Sequence, residues 1–376
     1  MKQLKVHLIA AARPNFMKVA PLYHMLATQD WCEPVLVHTG QHYDDSMSET
    51  FLRELGLPDP DLHLGVGSGT HAEQTAGVMI AYERVCLKSR PDWVIVVGDV
   101  NSTMACAIAA KKLCMQVAHL EAGLRSGDLT MPEEINRIVT DAIADLLWTP
   151  SADADENLRR EGIPPHKIEL VGNIMMDSYE LLRDKIQNTK SAGDYGMMPR
   201  SYGVVTLHRP ANVDDEKTLR AITHSLVQVS EQLPLVFPAH PRTHQRLQAF
   251  GLIEELEKAP TIELTNSIGY IRFMSLVRDA RLVITDSGGV QEETTYLNVP
   301  CLTLRDNTER PITVIEGTNR LVQPENLLEY VRSILKGHWQ EVVCPDLWDG
   351  KTAVRVVASL KKQLQVLDPK TKRAYR

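Results

Sequence analysis

Positive charge is in short supply in this chain: 41 lysines and arginines face 48 aspartates and glutamates, for a formal net charge of -7. That balance argues against a general nucleic-acid binder or a membrane-surface protein. Long apolar runs are missing too. None approaches the roughly 18 residues that a membrane span needs. The opening MKQLKVHLIAAARP has a basic start and a short apolar run, but Val6 to Ala12 is minimal for a signal segment and contains His7. It reads as a first buried strand and its loop. Cysteine is sparse: Cys32, Cys86, Cys106, Cys114, Cys301 and Cys344 show no C-x-x-C or metal spacing. No disulfide framework and no metal site follow from them. A reduced, cytoplasmic, soluble enzyme is the expectation. Two nucleotide fingerprints are also absent. There is no Walker pattern and no G-x-G-x-x-G, which disfavours a P-loop NTPase or a standard NAD fold. The run Gly65–Thr70 matches neither and reads as a mobile loop with a possible substrate contact.

What is present is alternation. Apolar runs such as Leu4–Ala10, Pro34–His38, Trp93–Val97, Gln116–Leu120 and Leu146–Thr149 are separated by helical patterns, the signature of a βαβ architecture. Lys167–Val171 adds a strand, and the rhythm restarts at Tyr202–Thr206, continuing through Leu233–Phe237, Thr261–Leu264, Arg281–Thr285 and Val299–Leu304. A chain of 376 residues has room for two domains with substantial cores. The expected fold class is α/β, with two doubly wound, Rossmann-like domains facing a central cleft. Residues 1–171 form the first, joined by a C-terminal helix from about 353 to 376, and 172–352 form the second. Asn188–Arg200 reads as an exposed connection.

In open α/β sheets, ligands bind beyond the carboxyl ends of the strands, and the chemistry-bearing residues gather there. AHLEAGLRSGDLTMPEEINR, from Ala118 to Arg137, leaves a strand end carrying Glu121 and Glu133. Glu134 reads as a first-turn acid complementing a helix dipole. Glu121 stands directly after apolar Val117–Leu120, where an unpaired carboxylate would have a raised pKa suited to acid–base work. Arg13 and Lys18 are cations near a helix start, where positive charge is unfavourable by itself; an anionic ligand or a solvated surface pair would account for them equally. Asp99, after Gly98, suits a helix N-cap, with a catalytic role open.

In the second half, His208 and Arg209 pair a proton-exchanging ring with an anion binder at a strand end, and His240 holds a similar place one strand later. Thr285-Asp286-Ser287-Gly288-Gly289 runs from a strand into a helix. Its glycines let bare N–H groups approach a diphosphate, and Glu293, about one turn on, can accept hydrogen bonds from ribose hydroxyls. Arg305 and Arg310 add cations at the same edge, one of them open to an ion pair with Asp306 or Glu309.

Together ARPNFMKVAPL, GDVNST, HLEAGLRSGD, PEEINR, HRPAN, TDSGGVQEE and RDNTERP resemble the UDP-N-acetylglucosamine 2-epimerase family, collinearly from Arg13 to about Arg320. The resemblance implies a GT-B-like fold whose C-terminal helix crosses back to the first domain. It implies a reaction without cofactor or metal: UDP leaves C1 as the C2 proton is removed, and UDP adds back to the 2-acetamidoglucal on the other face. Non-hydrolysing members yield UDP-N-acetylmannosamine; hydrolysing members release the free sugar. By the same resemblance, Asp99, Glu121 and Glu133 are the acid–base carboxylates and His208 lies near the departing diphosphate. Arg13 and Lys18 match the family's N-terminal cations, while Arg137, Arg209, His240 and Arg310 are further candidates for substrate contact. Ser287, Gly288 and Gly289 cradle the diphosphate, Glu293 takes the ribose, and the Phe273 backbone contacts uracil. A homodimer is the usual assembly of such enzymes. One departure is visible at Gln41–Ser48, where many relatives carry a Q-H-R-x-M-L-D-Q segment tied to an allosteric nucleotide sugar. Alternatives are a hydrolysing epimerase, a 2-epimerase of another UDP-2-acetamido sugar, a GT-B glycosyltransferase and a non-catalytic nucleotide-sugar sensor.

Overall fold

The structure, a computed structural model, describes residues 3–11, 13–40, 52–339 and 342–367, with Arg13 and 364–367 as backbone alone. The Gln41–Ser48 segment therefore lies outside the described residues.

Two compact units divide the chain: Met1–Leu181 with Asp346–Arg376, and Leu182–Pro345. In the first, seven parallel strands run in the order β3-β2-β1-β4-β5-β6-β7. They are β1 (Leu4–Ala10), β2 (Cys32–His38), β3 (Leu62–His63), β4 (Trp93–Val97), β5 (Gln116–Leu120), β6 (Leu146–Thr149) and β7 (Ile168–Leu170). The second repeats the plan with β10-β9-β8-β11-β12-β13: β8 (Gly203–Thr206), β9 (Leu235–Ala239), β10 (Ile262–Asn266), β11 (Leu282–Thr285), β12 (Cys301–Leu304) and β13 (Asn319–Val322). Helices cover both faces, so the central strands are buried on both sides, and β4 reads as one apolar run rather than an alternation. All five residues of Trp93–Val97 are buried.

Each sheet reverses direction beside its first strand, where β1 meets β4 and β8 meets β11. Ligands of open parallel sheets bind at such switch points, in the crevice beyond the strands' carboxyl ends. β1 and β4 lead into the Arg13 and Asp99 segments, and β8 and β11 lead into the His208 and Ser287 segments. Chain order thus delivers the motifs of each half to one edge of its own sheet.

The division differs from the expected limits of 171 and 352. Helix Ile174–Asn188 carries the chain from the first unit into the second. Residues 346–352 belong to the first unit because they are bound into it: Trp348 donates to the Pro150 carbonyl at 2.9 Å, and Asp177 accepts the N–H groups of Thr352 and Ala353 at 3.0 and 2.8 Å. The returning helix, Thr352–Leu367, packs in this unit, where Ser359 accepts the Trp148 indole N–H at 2.9 Å. Asn188–Arg200 is not simply exposed: it holds a short helix, Ser191–Asp194, whose Ser191 and Ala192 are buried. Thr70, in the expected mobile loop, caps helix His71–Lys88 in a reciprocal capping box with Glu73.

Candidate active site

In the first unit, Glu121 follows β5 directly. It is buried, with 5 % exposure, and adopts φ 74°, a left-handed conformation that costs a non-glycine residue about 1 kcal/mol or more. Two backbone bonds enforce it: the N–H groups of Glu121 and Ala122 both donate to the Trp148 carbonyl at 3.0 Å. Lys18, from the first turns of helix Arg13–Ala27, is buried and forms an ion pair with Glu121. The carboxylate is therefore paired rather than isolated. The charge that looked misplaced at a helix start is compensated within the chain. Asn15 ties the same helix to β4 through the Val97 carbonyl at 3.0 Å.

Asp99 does not cap the helix after it. Val100 occupies the cap of Asn101–Lys112, without a side-chain bond. The Asp99 carboxylate instead pairs with Arg137, and its carbonyl accepts from Asn136 Nδ2 at 2.8 Å. Arg137 also binds Glu134, through Nε at 2.9 Å and Nη2 at 2.6 Å. Glu134 is the buried acid of its pair and Glu133 the exposed one, although they open the same helix, Pro132–Ile143. Burial alone would push the Glu134 carboxyl up, but N–H groups of Ser126, Arg137 and Gly127 hold it below the ordinary range. Glu134 stands in the first helical turn as expected, and it also anchors the Ser126–Gly127 turn, at 2.8 to 3.1 Å, and binds Arg137. Arg13 begins its helix, but its side chain lies outside the described residues.

The second unit gathers its residues around Asp286, the last position before the Ser-Gly-Gly turn. Asp286 is fully enclosed and accepts the backbone N–H of His208 (3.1 Å) and Arg209 (2.9 Å), together with Asn212 Nδ2 (3.2 Å). His208 Nδ1 lies 3.0 Å from its Oδ1. Burial works against the charge, yet the His208 contacts and these donors keep the Asp286 carboxyl below its usual range. A neutral His208 ring that donates from Nδ1 keeps its acceptor lone pair on Nε2. The His240 ring is 6.1 Å from that of His208, and burial and the neighbouring His208 lower its pKa. His240 also caps helix Pro241–Ala249 through Nδ1.

Ser287 stands at the N-cap of helix Gly288–Tyr296 without a side-chain capping bond, so its hydroxyl leaves the first-turn N–H groups to other acceptors. Farther along, Glu293 is buried and accepts from the Tyr270 hydroxyl at 2.8 Å. Enclosure raises its pKa from 4.5 to about 8. Phe273 sits half-buried on helix Tyr270–Asp279, its own N–H already donated to the Gly269 carbonyl at 2.9 Å. Glu309 collects three guanidinium groups: Arg310 at 2.5 Å, Arg305 at 2.8 Å and Arg209 at 3.3 Å. Arg310 also reaches Glu292 at 2.8 Å. Both candidates for an ion pair thus take Glu309, while Asp306 accepts from Gln323. Asp286, Asn212, Tyr270 and Asn136 were missed as site residues. Asp286 was the most findable, since it lies inside the strand–turn–helix motif itself.

By architecture the chain is a GT-B-like enzyme, two Rossmann-like units each with its motifs at the switch point of a parallel sheet. The family model described as UDP-N-acetylglucosamine 2-epimerase matches residues 24–361. A UDP-N-acetylglucosamine 2-epimerase of Methanococcus maripaludis is 41% identical over 367 residues, covering 95% of this chain and 99% of that protein. A Pseudomonas aeruginosa UDP-2,3-diacetamido-2,3-dideoxy-D-glucuronate 2-epimerase is 39% identical over 323 residues, 85% of this chain and 88% of the relative. Among solved structures, the Methanocaldococcus jannaschii UDP-GlcNAc 2-epimerase in complex with UDP-GlcNAc and UDP superposes with a TM-score of 0.87 at 41% identity, covering 96% of this chain and 100% of that one. The chain belongs to the UDP-N-acetylglucosamine 2-epimerase family, and its class of chemistry is isomerisation. A Rickettsia africae glycosyltransferase, 13% identical with a TM-score of 0.56, shares the fold alone.

Proposed function

We propose that this chain interconverts UDP-N-acetylglucosamine and UDP-N-acetylmannosamine without releasing a free sugar. The second unit grips the nucleotide. Ser287, Gly288 and Gly289 present backbone N–H groups and a helix dipole to the diphosphate, Glu293 faces the ribose, and Phe273 marks the uracil side. Arg209, His240 and Arg310 supply positive or donor character around the phosphates. The first unit supplies the proton chemistry. A carboxylate among Asp99, Glu121 and Glu133 takes the C2 proton while the C1–O bond to UDP breaks, giving the 2-acetamidoglucal and UDP. His208 donates to the departing diphosphate oxygen and recovers that proton as UDP returns. Protonation of C2 from the opposite face completes the inversion. Lys18, Arg13 and Arg137 balance the carboxylates and the anionic substrate.

The observation that carries the reading is the Lys18–Glu121 pair: a buried acid in a strained backbone conformation, held by an ammonium at the carboxyl edge of a parallel sheet. Strain of this kind persists where function requires the geometry. The family's homodimeric habit and a place in cytoplasmic polysaccharide biosynthesis are part of the same proposal. The test is incubation with UDP-N-acetylglucosamine in deuterated water, followed by NMR. Deuterium at C2 with a UDP-linked mannosamine product supports the reading. Free mannosamine sugar plus UDP would replace it with hydrolysis, and no exchange without an acceptor would point to a transferase or a sensor.

A further inference from the structure

We propose that His119 and Asp141 form a buried positioning pair that fixes the turn bearing Asp99 against the turn bearing Glu121; the inference rests on the epimerase reading of those two acids. His119 lies on β5 and Asp141 near the end of helix Pro132–Ile143, and both are fully enclosed. His119 Nδ1 is 2.6 Å from Asp141 Oδ1, and its Nε2 is 2.9 Å from the Gly98 carbonyl. The other Asp141 oxygen accepts the Gly123 N–H at 3.0 Å and lies 2.7 Å from the Arg125 guanidinium. One pair of side chains therefore grips the residue before Asp99 and the residue two beyond Glu121.

Hydrogen-bond accounting defines its state. A carbonyl oxygen and a carboxylate oxygen only accept, so a ring that satisfies both must donate from both nitrogens, and only the imidazolium has two N–H groups. A fully buried ion pair is weak evidence for stability, since apolar residues of similar volume commonly serve as well. Its location supplies the other use. Gly98 adopts φ 68°, and a Cβ there would sit 3.3 Å from both Glu121 Oε2 and Lys18 Nζ. The backbone gripped by His119 is thus the floor on which the Lys18–Glu121 pair rests, and displacement of the Gly98 carbonyl shifts that pair.

The test uses the full chain as wild type and as His119→Leu, His119→Gln and Asp141→Asn. A misplacement near 1 Å at a reacting group costs roughly 100-fold in rate. His119→Leu and Asp141→Asn are expected to lose about that factor in kcat. KM for UDP-N-acetylglucosamine, calorimetric UDP affinity and the limbs of the pH–rate profile should stay near wild type. His119→Gln, whose amide N–H can still reach the Gly98 carbonyl, should recover part of the loss. In wild type, nitrogen-15 NMR of the imidazole should show a proton on each ring nitrogen of His119. An unprotonated nitrogen overturns the proposal. So does unchanged kcat, or loss of kcat, UDP affinity and folding together, which would make the pair merely structural. Wild type that shows no C2 exchange would refute the epimerase reading instead, a result that depends on no His119 variant.

Discussion

Gly289→Ala separates nucleotide binding from folding. A Cβ at Gly289 meets nothing within 4 Å, so the free chain accommodates it. The glycine lies in the first turn of helix Gly288–Tyr296 and outside the left-handed region, where a Gly→Ala change stabilises by about 0.5 kcal/mol through the unfolded chain. The open space over Gly289 is where the diphosphate is proposed to lie. A methyl group there blocks close approach to the first-turn N–H groups, each worth about 1.5–3 kcal/mol to a charged acceptor. Losing one such bond weakens UDP by roughly tenfold to a hundredfold. Calorimetry with UDP and a thermal melt on the same sample read both effects: weaker binding by a chain that melts no lower than wild type. Unchanged UDP affinity would place the diphosphate elsewhere and remove the glycine turn from the site. Gly288→Ala is the wrong probe, because its Cβ would fall 2.5 Å from Glu309 Oε1 and 2.6 Å from Arg310 Nη1. It would disturb a buried ion cluster and confound folding with binding.

Glu293 makes local stability depend on pH. Its carboxyl stays neutral in the folded chain up to about 8, whereas water-exposed glutamate ionises near 4.5. The open state therefore binds fewer protons between these values, and protection falls as pH rises through that window. Hydrogen exchange in residues 288–296 should lose about 1.4 kcal/mol of protection per pH unit there, and Glu293→Gln should abolish the slope; parallel profiles would refute the assignment. Glu121→Gln is expected to keep UDP affinity within about threefold while turnover falls at least 100-fold, and unchanged turnover would remove Glu121 from the mechanism. Asp286→Asn replaces a carboxylate acceptor with an amide beneath His208. A loss near 2 kcal/mol is expected, seen as faster hydrogen exchange across 207–213, with no change counting against Asp286 as the organiser of that loop.

The central strands were legible because burial on both faces leaves an uninterrupted apolar run, as in Trp93–Val97. Edges were harder. Leu62–His63 is too short to show a period, and Asn319–Val322 contains a buried asparagine whose amide is held by Gln291 at 2.9 Å. Helix Ile174–Asn188 was obscured by its position between the units. At the site, residue types and their placement after strands could be read from sequence, but pairings could not. Nothing local distinguishes Glu133 from Glu134, because only the fold turns one outward and the other onto Arg137. Asp286 looked like part of a turn, and its partners lie 74 to 78 positions earlier in the chain.

The return of Asp346–Leu367 to the first unit sets an order on synthesis. Everything in the second unit is translated before the segment that supplies Trp348, the donors for Asp177 and the partner of the Trp148 indole. The half begun first is thus completed last. A nascent chain stalled near Pro345 would hold every residue of the second unit, while the first unit still lacks helix Thr352–Leu367.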